Sequence, residues 1–263
     1  FLARMLTRKQ ENIKDVKNAF LPIMGSVVVV FGLIAWANLS TGLMLFGVSI
    51  LLLIIGRISI KQIAMVCAAG AVMLTLLIFI GPRADTWQSR IKTFMHPEKQ
   101  DSDKTYQSDH SKIALATGGV LGKGPGNSTE RNFLPHPYSD FIFAIIIEEY
   151  GTVGGLVVII LYLTLLYRCV LIVNRSPKAF GALLAAGLSF SLTIQAFANM
   201  AVAVGLGPVT GVPLPLVSMG GTSMIFTSIA FGIILSVSRD VEEKSSGVKK
   251  EDKVIVGEIP AMA

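Results

Sequence analysis

Six apolar runs, each near the length that crosses a lipid bilayer, constrain this chain more than anything else in it. They fall at about 20–37, 42–56, 62–80, 152–171, 180–204 and 223–237, and a helix rising 1.5 Å per residue needs about 20 apolar residues to span the hydrocarbon core. Backbone inside lipid has no water to bond, so the runs predict an all-α fold, a polytopic membrane bundle of six helices. The second and last runs are short and rely on flanking residues to reach the interfaces. Composition agrees: 52% of the 263 residues are hydrophobic and 15% charged, with mean hydropathy +0.64, too apolar for an ordinary soluble domain.

The net charge of +6 does not point to nucleic acid, because the cations sit between apolar runs instead of forming a stripe with interleaved aromatics. Arg4, Arg8, Lys9, Lys14 and Lys17 precede the first run, Arg57 and Lys61 lie between the second and third, Arg168, Arg175 and Lys178 between the fourth and fifth, and Arg239 follows the last. The positive-inside rule puts all four clusters, and both termini of this chain, in the cytoplasm. The turn 38–41, the loop 81–139 and the loop 205–222 then face outward. The long outer loop carries Arg83, Arg90, Lys92, Lys112, Lys123 and Arg131, but acids are interspersed and loops approaching about 60 residues weigh little in that rule. A loop of this size is functional or disordered; its amphipathic stretch 108–120 favours function. Residues 239–263 are charged and mixed in sign, which predicts a disordered cytoplasmic tail behind a membrane domain of residues 1–238. The opening FLARMLTRKQ reads as the cytoplasmic end of an earlier helix. Cys67 and Cys169 lie inside apolar runs as small hydrophobes.

Candidate chemistry centres on residues 134–151, LPHPYSDFIFAIIIEEYG. Pro135 and Pro137 disfavour helix just before them, and a helix starting at about Asp140 would carry one carboxylate at the mouth of an apolar segment. Asp140 is either an N-cap or a reacting group. The segment 140–149 is either the outer end of a long helix or a separate half-helix before Gly151. Glu148 and Glu149 are intramembrane acids of a site or partners in an ion pair. GGVLGKGPGNS, residues 118–128, offers glycine amides and Lys123 as an anion nest, or is simply a turn; it lacks the Walker A spacing. The Gly- and Pro-rich stretch 205–223 cannot be regular helix and must lie against protein or line a cavity. Gln195 and Asn199, four apart, are interhelical glue or cavity lining. Ser218 lacks the G-x-S-x-G elbow, and His96, His110 and His136 have no zinc spacing.

GVPLPLVSMGGTSM, YSDFIFAIIIEEYG, GKGPGNS and QAFANMAVAVG together resemble the SEDS family (shape, elongation, division and sporulation), its division branch more than its elongation branch. The likeness covers about residues 1–239 and implies a ten-helix bundle of which this chain holds the last six. It further implies a peptidoglycan glycosyltransferase that polymerises lipid II at the outer face of the bacterial inner membrane, at the division septum, beside a class B penicillin-binding protein and other division proteins. The family aspartate falls on Asp140, as base toward the acceptor hydroxyl. The other motif residues, Lys123, Gly124, Asn127, Arg131, Gln195, Asn199, Ser218, Gly220 and Gly221, become candidates for holding substrate. A divalent cation, Mg or Mn, is one way to neutralise the leaving diphosphate; the glycine nest with Lys123, and Arg131, are others. ANLSTG stands where many relatives have P-D-x-G, and Met219 where a Tyr is frequent. The rival readings are a lipid II flippase, an elongation-type polymerase, and a scaffold that only binds a partner.

Overall fold

The computed structural model describes residues 1–10, 15–96 and 102–257, except for the side chains at 102–104 and 244–257. The elements are α1 (Leu2–Arg8), a π-helical turn (Val16–Phe20), α2 (Leu21–Ala37), α3 (Leu39–Ile55), α4 (Ile60–Ile80), α5 (Ala84–Met95), α6 (Ser102–Gly118), a 3-10 turn (Glu130–Asn132), α7 (Ile142–Arg175), α8 (Ala179–Ala203) and α9 (Gly221–Gly257). No strand occurs among the described residues. This is an all-α, multi-pass membrane protein. Five described segments, Val16–Ala37, Ile60–Ile80, Ile142–Arg175, Ala179–Ala203 and Gly221–Glu243, are long and apolar enough to cross a bilayer. The sixth expected span, α3, has 17 residues, about 25 Å of helix, slightly short as its sequence predicts.

Local chemistry sets the boundaries. Asn38 leaves helical conformation, ends α2 and caps α3, its Oδ1 accepting from the Thr41 amide at 3.3 Å. Ser59 and Gln62 form a reciprocal capping box that starts α4 after the basic turn. Leu6, Phe20, Ile23, Leu53, Val66 and Ala186 build one core between α1, α2, α3, α4 and α8. Ala114, Phe143, Ala144, Ala196, Ala203 and Leu214 build a second between α6, α7, α8 and the loop before α9. The Arg175–Lys178 turn and the α9 stretch after Arg239 share one end, where Lys178 Nζ lies 3.3 Å from Asp240 Oδ2. Leu6 touches Gly56, which brings the Arg57–Lys61 turn to the same end. Lys14 lies outside the described residues.

The loop 81–139 contains α5 and α6; α6 covers most of the amphipathic stretch 108–120 and is built into the fold, with Ser111 Oγ donating to Ala203 O at 2.7 Å. Helix α9 continues past Arg239 to Gly257, and Arg239 Nε pairs with Glu243 Oε1 at 2.6 Å within it. Residues 258–263 lie outside the description.

Candidate active site

At the end opposite the basic turns, Pro135 and Pro137 hold the chain in turns until Phe141, and α7 begins at Ile142 with no side-chain cap hydrogen bond. The carboxylate of half-buried Asp140 therefore does not serve the helix amides. Its Oδ1 accepts from the Ser139 hydroxyl at 2.9 Å. Its Oδ2 faces Gly211, where an added Cβ would sit 3.5 Å away, so the glycine leaves that side of the carboxylate open.

The backbone around Asp140 is tied to the loop 205–220. Buried Asn199 donates through Nδ2 to Asp140 O at 2.8 Å and to Val212 O at 2.7 Å. Ser218 donates to Ser139 O at 2.5 Å and accepts from the Leu214 amide at 2.7 Å, and the Met219 amide donates to Tyr138 O at 2.8 Å. Gln195 Nε2 donates to Pro213 O at 3.0 Å, and the Tyr162 hydroxyl to Pro215 O. An apolar, non-helical segment inside a membrane bundle leaves carbonyls that lipid cannot satisfy, and these side chains satisfy them. The loop lies against Asp140, as the sequence predicts, and the polar groups of Gln195, Asn199 and Ser218 bind protein backbone and position the mouth. Gly220 and Gly221 open α9, and a side chain at Gly221 would meet nothing within 4 Å.

A second polar cluster surrounds Glu148, eight residues along from Asp140. Its carboxylate is fully buried. Lys123 Nζ lies 2.6 Å from Oε1, the Thr129 hydroxyl and amide donate to Oε1 at 2.8 and 3.1 Å, and the Ser128 hydroxyl and Glu130 amide donate to Oε2. Just beyond, α7 breaks at Gly151, φ 70° and ψ −174°, so residues 142–150 form a half-helix. The glycine-rich loop splints this break. Lys123 and Gly124 amides donate to Glu148 O and Glu149 O, both at 2.9 Å, and the Thr152 amide donates to Gly119 O at 2.9 Å. The strands of backbone run so close that a Cβ on Gly122 would meet Glu149 O at 2.2 Å, and one on Gly151 would meet Val120 O at 2.0 Å. Of the two readings of this stretch the geometry is that of the turn: the amides of Gly122, Lys123 and Gly124 all bond carbonyls within the fold, and the Lys123 ammonium is paired with Glu148. Asn127 joins the same loop, its Nδ2 donating to Lys123 O at 3.1 Å. Half-buried Arg131 donates its amide to Ser128 Oγ at 3.2 Å.

Sequence reasoning missed a second pair besides Glu148–Lys123. His110 Nδ1 lies 2.5 Å from Glu130 Oε2, with the imidazole between Tyr106, at 4.3 Å, and Phe133, stacked at 5.3 Å. The i, i+4 spacing of Tyr106 and His110 was the available signal. Among the described residues no three His, Cys, Asp or Glu side chains are gathered into one cluster.

The model of the FtsW, RodA and SpoVE family, described as a cell cycle protein, matches residues 1–243. The chain belongs to this family. That membership is what the four sequence motifs imply. Stage V sporulation protein E of Bacillus subtilis is 34% identical over 91% of this chain and 65% of its own length. The probable peptidoglycan glycosyltransferase FtsW of Geobacter sulfurreducens is 35% identical over 90% of this chain and 64% of its own. This family chain thus spans about two thirds of the curated relatives it matches. Among solved structures, a chain from "Structural coordination of polymerization and crosslinking by a peptidoglycan synthase complex" superposes with a TM-score of 0.67 and 23% identity, covering 91% of this chain and 68% of that one. At that identity the likeness is one of fold.

Proposed function

We propose that this chain is the catalytic part of a peptidoglycan glycosyltransferase that polymerises lipid II during cell division. The observation that carries the reading is Asp140: a carboxylate at a membrane-helix mouth that no helix amide uses, open toward Gly211 and fixed through Asn199 and Ser218. The names of the relatives supply the substrate class.

In the reaction, an acceptor sugar hydroxyl attacks the anomeric carbon of a glycosyl donor held on a lipid diphosphate. The new C–O bond forms as the bond from that carbon to the diphosphate oxygen breaks, and the diphosphate leaves with the bonding electrons. Asp140 takes the hydroxyl proton. The network of Asn199, Gln195, Ser218 and Tyr162 keeps the carboxylate in register with the loop, so attack needs little reorganisation. The reading places Asp140 at the outer membrane face, at the septum, and gives the protein a class B penicillin-binding protein as partner.

Asp140→Asn in the full-length protein tests it. The amide keeps the size and the Ser139 contact but not the basicity, so polymerisation of purified lipid II should fall about 10² to 10⁴-fold, with insertion and thermal stability unchanged. Near wild-type polymerisation would remove Asp140 from catalysis.

A further inference from the structure

Lys123 and the amides of Gly122 and Gly124 are engaged inside the fold, and a second group of cations lies on another face of the same outer loop. A cleft of about 230 Å³ opens between α5, α6 and the loop after α8. Arg90 from α5 and Lys112 from α6 line it, with the hydroxyls of Ser89, Thr93 and Ser108. Arg90 Nη1 donates to Val209 O at 3.0 Å, which fixes the guanidinium by one of its five N–H groups. Lys112 has only a long contact, 3.9 Å, to exposed Asp109. The balance on the wall is two cations against one carboxylate.

Two further observations say what the cleft faces. Helix α5 follows the spanning helix α4 after three residues, and its Trp87, Ile91 and Phe94 fall on one side at helical spacing. Trp87 packs on Phe31, Ala35 and Leu77, whereas Ile91 and Phe94 are exposed. Ser89 and Thr93 occupy the other side; Arg90 lies at the boundary, its guanidinium 5.2 Å above the Trp87 ring, and Phe94 also borders the cleft. An amphipathic helix directly after a spanning helix suits the membrane interface, where its polar face would sit at headgroup level. The loop that forms the far wall also serves Asp140: Val209 packs in the cluster of Phe141, Leu134 and Ile145, and Gly211 borders the carboxylate.

We propose that this cleft is a binding subsite for the diphosphate of a lipid-anchored glycosyl donor, with Arg90 and Lys112 as its anion ligands. The inference rests on the glycosyltransferase reading for the identity of the donor, while the site itself stands on the cleft. Arg90, preoriented by Val209, presents its remaining N–H fork to phosphate oxygens. Lys112 adds a mobile second charge, and the hydroxyls bond the oxygens between.

The test uses full-length protein in nanodiscs of zwitterionic lipid, with geranyl diphosphate as probe and geraniol as control. Wild type should bind the diphosphate at least about tenfold more tightly than geraniol, and Arg90→Gln and Lys112→Gln should each lose most of that difference. Because Arg90→Gln also removes the Val209 bond and risks misfolding, the exposed Lys112→Gln carries the test alone if needed. Unchanged affinity in Lys112→Gln, or no preference for diphosphate in wild type, overturns the proposal. A parallel arm adds phosphatidylglycerol to the nanodiscs: displacement of the probe at equal lipid affinity would make the cleft a phospholipid headgroup site and also overturn it. Diphosphate binding that depends on Lys112 in a protein that makes no polymer would keep the subsite and sink the polymerase reading. Polymerisation with an unchanged KM for lipid II in Lys112→Gln would do the reverse.

Discussion

Glu148 on the half-helix and Asp140 in the turn just before it do opposite things with the same functional group. Asp140 is half-buried with one side-chain donor, whereas Glu148 is buried and accepts from Lys123, Ser128, Thr129 and Glu130. A fully bonded carboxylate has no lone pair left for a substrate, so Glu148 is structural. Breaking a buried ion pair by removing one partner costs about 3–5 kcal/mol; Lys123, with 28% of its side chain exposed, argues for the lower end. Glu148→Gln should therefore lower the thermal midpoint of the purified protein clearly, and Glu148→Gln with Lys123→Met should cost less than the two singles added. A midpoint unmoved by Glu148→Gln would show that the carboxylate is not the clamp. Asp140 was legible from its proline-flanked, helix-mouth position. The Glu148–Lys123 pair was not, because 25 residues separate the two and nothing in either local pattern specifies that the glycine loop folds back on the helix.

Hydropathy announced α2, α3, α4, α7, α8 and α9 because lipid imposes a single answer on a long apolar run. Within the loop 81–139 only the stretch 108–120, the larger part of α6, showed a pattern; the bounds of α6 and the whole of α5 were hidden by their polarity. In α5 the stripe Trp87, Ile91, Phe94 was present but short, and α6 packs through the small residues Ser111, Ala114 and Gly118, which carry little hydrophobic signal. Gly151, Gly154 and Gly155 marked a possible interruption in α7, and the structure puts the break at the first. Its φ of 70° with extended ψ is a conformation almost confined to glycine, and the neighbouring Val120 carbonyl excludes a Cβ. Gly151→Ala should cost more than about 2 kcal/mol and expose the 118–129 segment to limited proteolysis, whereas Ala at Gly25, where a Cβ meets nothing within 4 Å, should leave the cleavage pattern unchanged. Equal protease resistance in both variants would mean that the break is not splinted by this loop.

At the scale of the whole molecule, the functional reading depends on which end of the bundle faces the cell exterior. The Arg57–Lys61 and Arg175–Lys178 turns and the segment after Arg239 gather at one end, and Asp140, Gly211 and Ala203 at the other. Basic residues in short loops remain on the cytoplasmic side because translocating them is costly, so the Asp140 end should lie outside, where a lipid-linked sugar displayed on the outer leaflet can reach it. The loop containing α5 and α6 carries cations of its own, and only its length and interspersed acids reconcile it with that orientation. An independent measurement is therefore decisive. In full-length protein with Cys67 and Cys169 replaced by Ser and Ala, single cysteines at exposed Asn132 and exposed Asn174 report on the two ends. A membrane-impermeant maleimide applied to intact spheroplasts should label the cysteine at 132 and spare the one at 174 until the membrane is opened. The reverse pattern would put Asp140 in the cytoplasm, where the same mouth, loop and cationic cleft would face precursor synthesis and not polymer growth, and the glycosyltransferase reading at the outer face would fail with it.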